Sequence, residues 1–474
     1  MDSVGMVLEE IDQGRRIVAK YERTLYESES GDLTLALAGE CLISRPVSVY
    51  REPNFLTLVD LVRGADLSIT HAEMLFHDYE DSPSHLSGGT YMRSDPRNIE
   101  ELMWMGFKML STASNHSFDF GENAVLTNIA NLDRFGMAHA GSGRHLAEAR
   151  SPRYLETPQG RVALLSATTS GPPAGRAGEQ RRDVRGRPGA NYIRHTTEYV
   201  VDRSTFDAIK HVSEALGFEA EKQGAGAMFS SGTPVDTDTE FYLTGLFPTY
   251  DSINSVKFTL GEVVERHSTP NWDDLEGTVQ RIRDARRMAQ WVVVSLHSHE
   301  SGETHDDPSE HLRTIAHACI EAGADVVLGH GPHQDRGIEI YEGKPIFYAL
   351  GDFFLQNDTV LLMPHDNMVR QGLSWEATPA DFYDKRSSND TKGQTVQSIR
   401  WQTALACVDW KKGELNEIRL HPVDLGFEKA RSERGRPILA EGAVADEILD
   451  RFQRLSAPFG TKVGIRDGIG VIQP

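Results

Sequence analysis

Between residues 31 and 170 the hydrophobic positions of the chain switch repeatedly between two periods. The short apolar runs "LTLALAG" (33–39), "DLSIT" (66–70) and "RVALLSAT" (161–168) have the length and composition of buried strands. Between them, "NFLTLVDLVRGA" (54–65), "NIEELMWMGFKML" (98–110) and "ENAVLTNIANLDRFG" (122–136) space their apolar residues at helical intervals, and Gly136 closes the last of these helices. The alternation resumes with "WVVVSLH" (291–297), the helix "PSEHLRTIAHACIEAGA" (308–324), a strand at 325–328 and a hairpin across Glu342-Gly343. Two further strands, "WQTALACVDW" and "LNEIRLHPV", flank Lys411–Glu414, and a helix near 445–455 follows. Strands and helices alternating in this way predict an α/β architecture with largely parallel pairing.

Three stretches depart from that rhythm. Residues 1–30 read as one amphipathic helix with charge pairs four residues apart, an arm or dimer contact. Residues 171–190 form a loop by their Gly and Pro content, and the loop is rich in arginine. Residues 205–222 and 273–290 look helical, but 223–272 has no clear period. We therefore expect 171–272 to be an insertion or lid over an α/β body at 31–360. Residues 361–474 are expected to add strands and a helix packed on that body.

Composition narrows the function classes. The formal net charge of −21 repels nucleic-acid phosphates and anionic lipid, so neither is an expected partner. An anionic substrate would need a local basic patch. The three cysteines, Cys41, Cys319 and Cys407, are too few and too scattered for a disulfide framework or a CxxC zinc site. The N-terminal residues have no apolar segment of the secretory kind, and no apolar run approaches the ~20 residues of a membrane span. The expectation is a cytoplasmic protein.

Five strands share one oddity at their ends. "LTLALAG" runs into Glu40, and "DLSIT" into His71-Ala72-Glu73. "LSTAS" runs into Asn115-His116, "WVVVSL" into His297-Ser298-His299-Glu300, and "DVVLG" into His330-Gly331-Pro332-His333. Any one of these residues alone is more often a turn former or a satisfied structural histidine. Together they put carboxylate, amide and imidazole groups at one sheet edge, the place where α/β proteins bind ligands. Such mixed donors suit Mn²⁺, Fe²⁺ or Zn²⁺.

These motifs resemble the bacterial capsule-synthesis CapA (PGA-cap) family, itself similar to calcineurin-like metallophosphoesterases. The resemblance covers roughly 31–360. It is carried by Gly39-Glu40, His71-Ala72-Glu73, Ser114-Asn115-His116, Leu296-His297 with His299-Glu300, Gly329-His330-Gly331-Pro332-His333 and "IEIYEGKPIFYALGDF". "GRPGAN" (186–191) and "LSAPFGT" (455–461) resemble one sub-branch. The resemblance implies a four-layer α-β-β-α sandwich with an insertion and a C-terminal extension, and two metal ions at the sheet ends. It implies metal ligands at Glu40, His71, Glu73, Asn115, His297, His330 and His333, with Glu73 as bridge. His116 is the candidate acid, His299 and Glu300 orient ligands, and Arg187 and Asn191 are candidates for substrate contact. The family's usual Asp is Glu40 here, its Asn is His71, the middle His of GHHPH is Gly331, and GNF is Gly351-Asp352-Phe353. Two functions stay open on this basis. One is a metal-dependent hydrolase of an anionic or amide- or ester-containing small molecule or polymer. The other is a non-catalytic capsule or polyglutamate-handling protein that binds metal and carboxylate.

Overall fold

A computed structural model describes residues 31–220, 222–223, 236–244 and 255–474. The helix expected over 1–30 lies outside the described residues. The chain divides into two compact units, one containing the flanks up to Ile193 and from Trp272, the other Arg194–Asn271.

The larger unit is a mixed α/β structure with two main sheets. In the first, strand Leu33–Leu42 lies at the centre, parallel to Leu67–His71, which continues to Met109–Ser111 and Ala138–Ala140. Strand Asp352–Leu355 also pairs parallel to it. On its other side Gln402–Lys411 pairs antiparallel and leads to Glu414–Asp424 and Ile469–Ile472. The C-terminal strands thus complete this ten-stranded sheet. The second sheet has six strands, with Lys344–Phe347, Val326–His330, Trp291–His297 and Gly160–Thr168 all parallel.

The apolar runs are continuous because these strands are buried on both faces. Alternate residues go to different cores. Leu35, Leu37 and Ile69 of the first sheet share one core with Leu164, Val293 and Leu328 of the second. Ala36 and Ala38 face Phe55, Leu58 and Leu102 of helices Pro53–Gly64 and Asn98–Met105. Val292, Val294 and Val327 face Leu275, Val279, Leu312 and Ile315 of helices Trp272–Arg286 and Glu310–Glu321. Helix Gly121–Phe135 ends as expected at Gly136, which takes a left-handed φ of 73° and returns its N–H to Leu132 O and Asp133 O. The two hairpins turn on Glu342-Gly343 and Lys412-Gly413, all four residues at positive φ as a two-residue hairpin loop requires.

The smaller unit has a four-stranded sheet ordered Glu240–Thr244, Ser255–Leu260, His195–Val201, Glu265–Pro270. Helix Arg203–Ala215 is capped by Asp202, whose side chain accepts from Thr205 N. Val201, Phe206 and Phe241 form its buried centre. The segment expected as a single insertion therefore divides: 194–271 is a unit of its own, while 171–193 belongs to the larger one. Among the described residues no helix is long and apolar enough to cross a membrane.

Candidate metal centre

Strand register brings the site together. Glu40 stands directly beside His71 on one neighbouring strand and beside Asp352 on the other. His71 in turn pairs with Ser111, and on the second sheet His297 pairs with His330. The register slips on both sides of Glu40, so this strand is distorted where it carries its acid. Gly39 lets the chain at Gly351 pass so close that a Cβ would lie 1.8 Å from Gly351 O. Gly331 has φ of 127° and a Cβ there would meet the Ser298 backbone at 2.5–2.8 Å. The side chain usual at this place in the family has no room in this chain. His333 follows with φ of 55°, a left-handed conformation rare for histidine and found mainly where a site demands it.

Three overlapping groups have donor atoms within 4.8 Å of one another: Glu40, His71, His297 and His330; Glu73, His297 and His299; and Glu40, Glu73, His333 and Asp352. Glu40 Oε1 lies 3.1 Å from His297 Nδ1, and Oε2 lies 3.0 Å from His333 Nδ1. Glu73 is 3.6 Å from His299 Nε2 and 3.7 Å from His297 Nε2. Glu40 and Glu73 are fully buried, yet neither oxygen of either has a partner in hydrogen-bond geometry. The same holds for His71 Nε2, His297 Nε2, His299 Nε2, Asn115 Oδ1 and Asp352 Oδ2. Buried polar atoms are normally paired. Eight of these nine unpaired atoms belong to residues of the three donor groups, and that concentration fits a bound divalent ion.

The charges are arranged to match. Burial works to raise the Glu40 carboxyl, but the positive His333 and the His297 imidazole outweigh it and hold Glu40 well below the usual carboxylate range. Burial and the neighbouring Glu40 charge push Glu73 well above that range. Asp352 is raised to about 6, chiefly by burial. Burial opposes charge on His333, yet Asp352, Glu73 and Glu40 around it raise it well above the ordinary imidazole value. Burial, with neighbouring imidazoles, keeps His71, His330 and His299 well below theirs. Neutral imidazole is the form that ligates a metal.

The remaining sequence candidates fall in different places. Asn115 donates to Gly88 O at 3.1 Å and leaves its carbonyl oxygen unpaired. It lines a cleft of about 390 Å³ with Ser87, Gly88, Ser170, Pro172 and His299. His116 Nδ1 is 2.6 Å from Asp119 Oδ2, and its Nε2 lies 4.0 Å from Glu73. Glu300 belongs to none of the donor groups. Its carboxylate accepts from Thr169, Ser170 and Ser298, and Ser170 Oγ also takes the His299 N–H, so Glu300 positions His299 through a serine. Asn191's amide donates to Ser166 O and its oxygen accepts from Arg150, so its side chain is engaged within the protein. Arg187 is exposed and donates to Arg176 O, folding the arginine-rich loop on itself. Glu73, the expected bridge, belongs to two of the donor groups, and so does Glu40. Asp352 is the donor the sequence reading left out. The signal was present in Gly351-Asp352-Phe353, where an acid replaces an amide beside the first strand.

Parallel strands delivering acids and imidazoles to one buried cluster define an α/β protein with a metal-type donor set. Comparison with known proteins then places it: the profile described as bacterial capsule synthesis protein PGA_cap matches residues 31–357, and the chain belongs to that family. It is 36% identical over 402 residues to the PGA biosynthesis protein CapA of Bacillus subtilis, covering 80% of each chain. It is 31% identical over 462 residues to the uncharacterized protein y4sH of Sinorhizobium fredii, covering 93% of each. The capsule biosynthesis protein CapA of Bacillus anthracis is 28% identical over 174 residues, 34% of this chain and 38% of that one.

Proposed function

We propose that this chain is a metal-dependent hydrolase that acts on an anionic small molecule or polymer through an amide or ester bond, with polyglutamate chemistry as the setting. The reading rests chiefly on the nine buried donor atoms without hydrogen-bond partners. It takes the two sheets and their outer helices as a four-layer α-β-β-α sandwich, supported by the core that both sheets share. Glu40, His297 and His330, with His71 against them, would hold one divalent transition ion. Glu73, His333 and Asp352, with Glu40 shared, would hold a second. Such ions supply Lewis acidity and activate water at neutral pH.

The protein's own groups divide the rest of the work. Asp119 accepts from Gly88 N and Met92 N as well as facing His116, so its position is fixed from three sides. It orients His116 through Nδ1, which leaves Nε2 on the Glu73 side of the ring to give a proton to a leaving group. Asn115 Oδ1 and His299 stand at the cleft, where an incoming substrate would meet the cluster. Exposed Arg181, Arg182 and Arg185 add positive charge on the loop that follows Pro172.

The test is a hydrolysis screen over phosphoesters, γ-glutamyl amides and esters with Mn²⁺ and Zn²⁺. Turnover of one class should fall about 10²–10⁴-fold in His116→Ala while bound metal is retained. The second reading, a metal-binding polymer-handling protein without turnover, is favoured by the name of the Bacillus subtilis relative, which is one of biosynthesis. Binding of polyglutamate with no hydrolysis of any class by metal-loaded protein would select it.

A further inference from the structure

His71 and His330 lie face to face, ring centroids 3.7 Å apart and planes 15° from parallel. Behind them two serines bridge the sheets: Ser111 from the ten-stranded one and Ser295 from the six-stranded one. His71 Nδ1 is 2.8 Å from Ser111 Oγ, Ser295 Oγ donates to Ser111 Oγ at 2.7 Å, and Ser295 Oγ is 2.6 Å from His330 Nε2. All four side chains are fully buried. Among the described residues neither hydroxyl has another partner.

The protons in this row can be counted. Each hydroxyl has one. Ser295 spends its proton on Ser111, so at His330 it accepts, and His330 carries its proton on Nε2. The Ser111 proton then has His71 Nδ1 as its acceptor, so His71 carries its own on Nε2. For both imidazoles to offer a lone pair to the cluster, both would have to donate into the serine pair. One hydroxyl proton would then be buried without an acceptor, which is unfavourable. Two rings stacked this close cannot both be charged, and full burial disfavours charge on either.

We propose that the Ser111–Ser295 pair divides the two histidines by role: His330 is a metal ligand through Nδ1, and His71 is a positioning residue that presents an Nε2–H to the cluster. This rests on the metal-centre reading above. His330 Nδ1 sits 3.1 Å from His297 Nδ1 and 3.8 Å from Glu40 Oε1, on the ligating side. His71 Nε2 is buried without a partner, as a donor awaiting an oxygen of substrate or of another ligand would be. His71 therefore supplies an N–H to the cluster.

The test uses the full chain labelled with ¹⁵N-histidine, resonances assigned by substitution. Long-range ¹H–¹⁵N spectra of zinc-free protein should show both His71 and His330 protonated on Nε2 alone. Adding Zn²⁺ should shift His330 Nδ1 and leave His71 in the same tautomer. Zinc per chain should be unchanged in His71→Asn and reduced in His330→Asn. Ser295→Ala should weaken Zn²⁺ about 10–100-fold, with recovery in Ser295→Thr. A proton on His71 Nδ1, or loss of zinc in His71→Asn, would overturn the assignment. Wild-type protein that binds no zinc would end the metal-centre reading and the ligand role of His330 with it. The zinc-free tautomers are read separately, so the two failures are distinguishable.

Discussion

Asp335 and Asp352 are both buried carboxylates on the same stretch of chain, and they are treated in opposite ways. Asp335 accepts from Gly351 N at 3.0 Å, Thr403 Oγ1 at 2.8 Å and Arg451 Nη1 at 3.2 Å. Both of its oxygens are met by donors of the protein, although burial still raises the carboxyl above its usual range. One residue beyond Gly351, Asp352 has one oxygen 3.0 Å from His333 and the other without a partner, beside Glu40 and Glu73 with none in hydrogen-bond geometry. A carboxylate buried for stability is given its donors by the fold. A carboxylate buried for binding is left short of them, and the shortfall is what an ion would fill. Buried charge without a partner is costly, and burial accordingly raises Glu73 and Asp352; a bound cation would offset that cost.

The contrast can be broken at either end. Arg451→Met removes the cation from Asp335 and should lower the unfolding free energy by about 3–5 kcal/mol, measured by denaturant titration with or without metal. Next in size, a divalent ion at about 100 times its dissociation constant should stabilise wild-type protein by about 2.7 kcal/mol in thermal unfolding. Glu40→Gln should abolish that gain, because Glu40 belongs to two donor groups, whereas Arg451→Met should keep it. Asp352→Asn without metal should cost little or raise stability. If it destabilises as much as Arg451→Met, the two carboxylates do not differ in kind.

The smallest effect is in pH. Asp352 is raised from 3.8 to about 6, so the folded chain holds its proton more tightly than the unfolded one. Its contribution is fully present below about pH 4 and is lost as pH rises through 6. Glu73 and His333, both raised, act in the same direction, while the lowered Glu40 opposes them. The lowered His71, His297, His299 and His330 give the opposite slope in the same window, so chelator-treated protein should lose melting temperature between pH 5 and 8 relative to Asp352→Asn, which lacks the Asp352 contribution. Metal-saturated protein should show the reverse, because protons compete with the ion.

Much of the site was legible in the sequence because the strands are apolar runs that stop abruptly at ligand-type residues. Glu40, His71, Glu73, His297, His330 and His333 lie together for that reason. Asp352 also follows an apolar run, residues 346–350, but only the long-range pairing of its strand, Asp352–Leu355, with Glu40 puts it in the site. Ser111 and Ser295 are small polar positions within strands, and that they meet depends on the two sheets facing each other. Asn191 read as a site residue from its motif, and its amide proved to be spent within the protein. The middle segment hid its four-stranded sheet because strands such as "HTTEYVV" are half exposed and carry no continuous apolar run.

The central claim is that the acids and imidazoles at the strand ends form a metal centre. Elemental analysis of full-length protein purified from metal-replete medium tests it most directly. The account predicts transition metal near two equivalents per chain, falling sharply in Glu40→Gln and unchanged in Arg451→Met. Protein with no bound metal, and with no thermal stabilisation on adding Mn²⁺ or Zn²⁺, would contradict it.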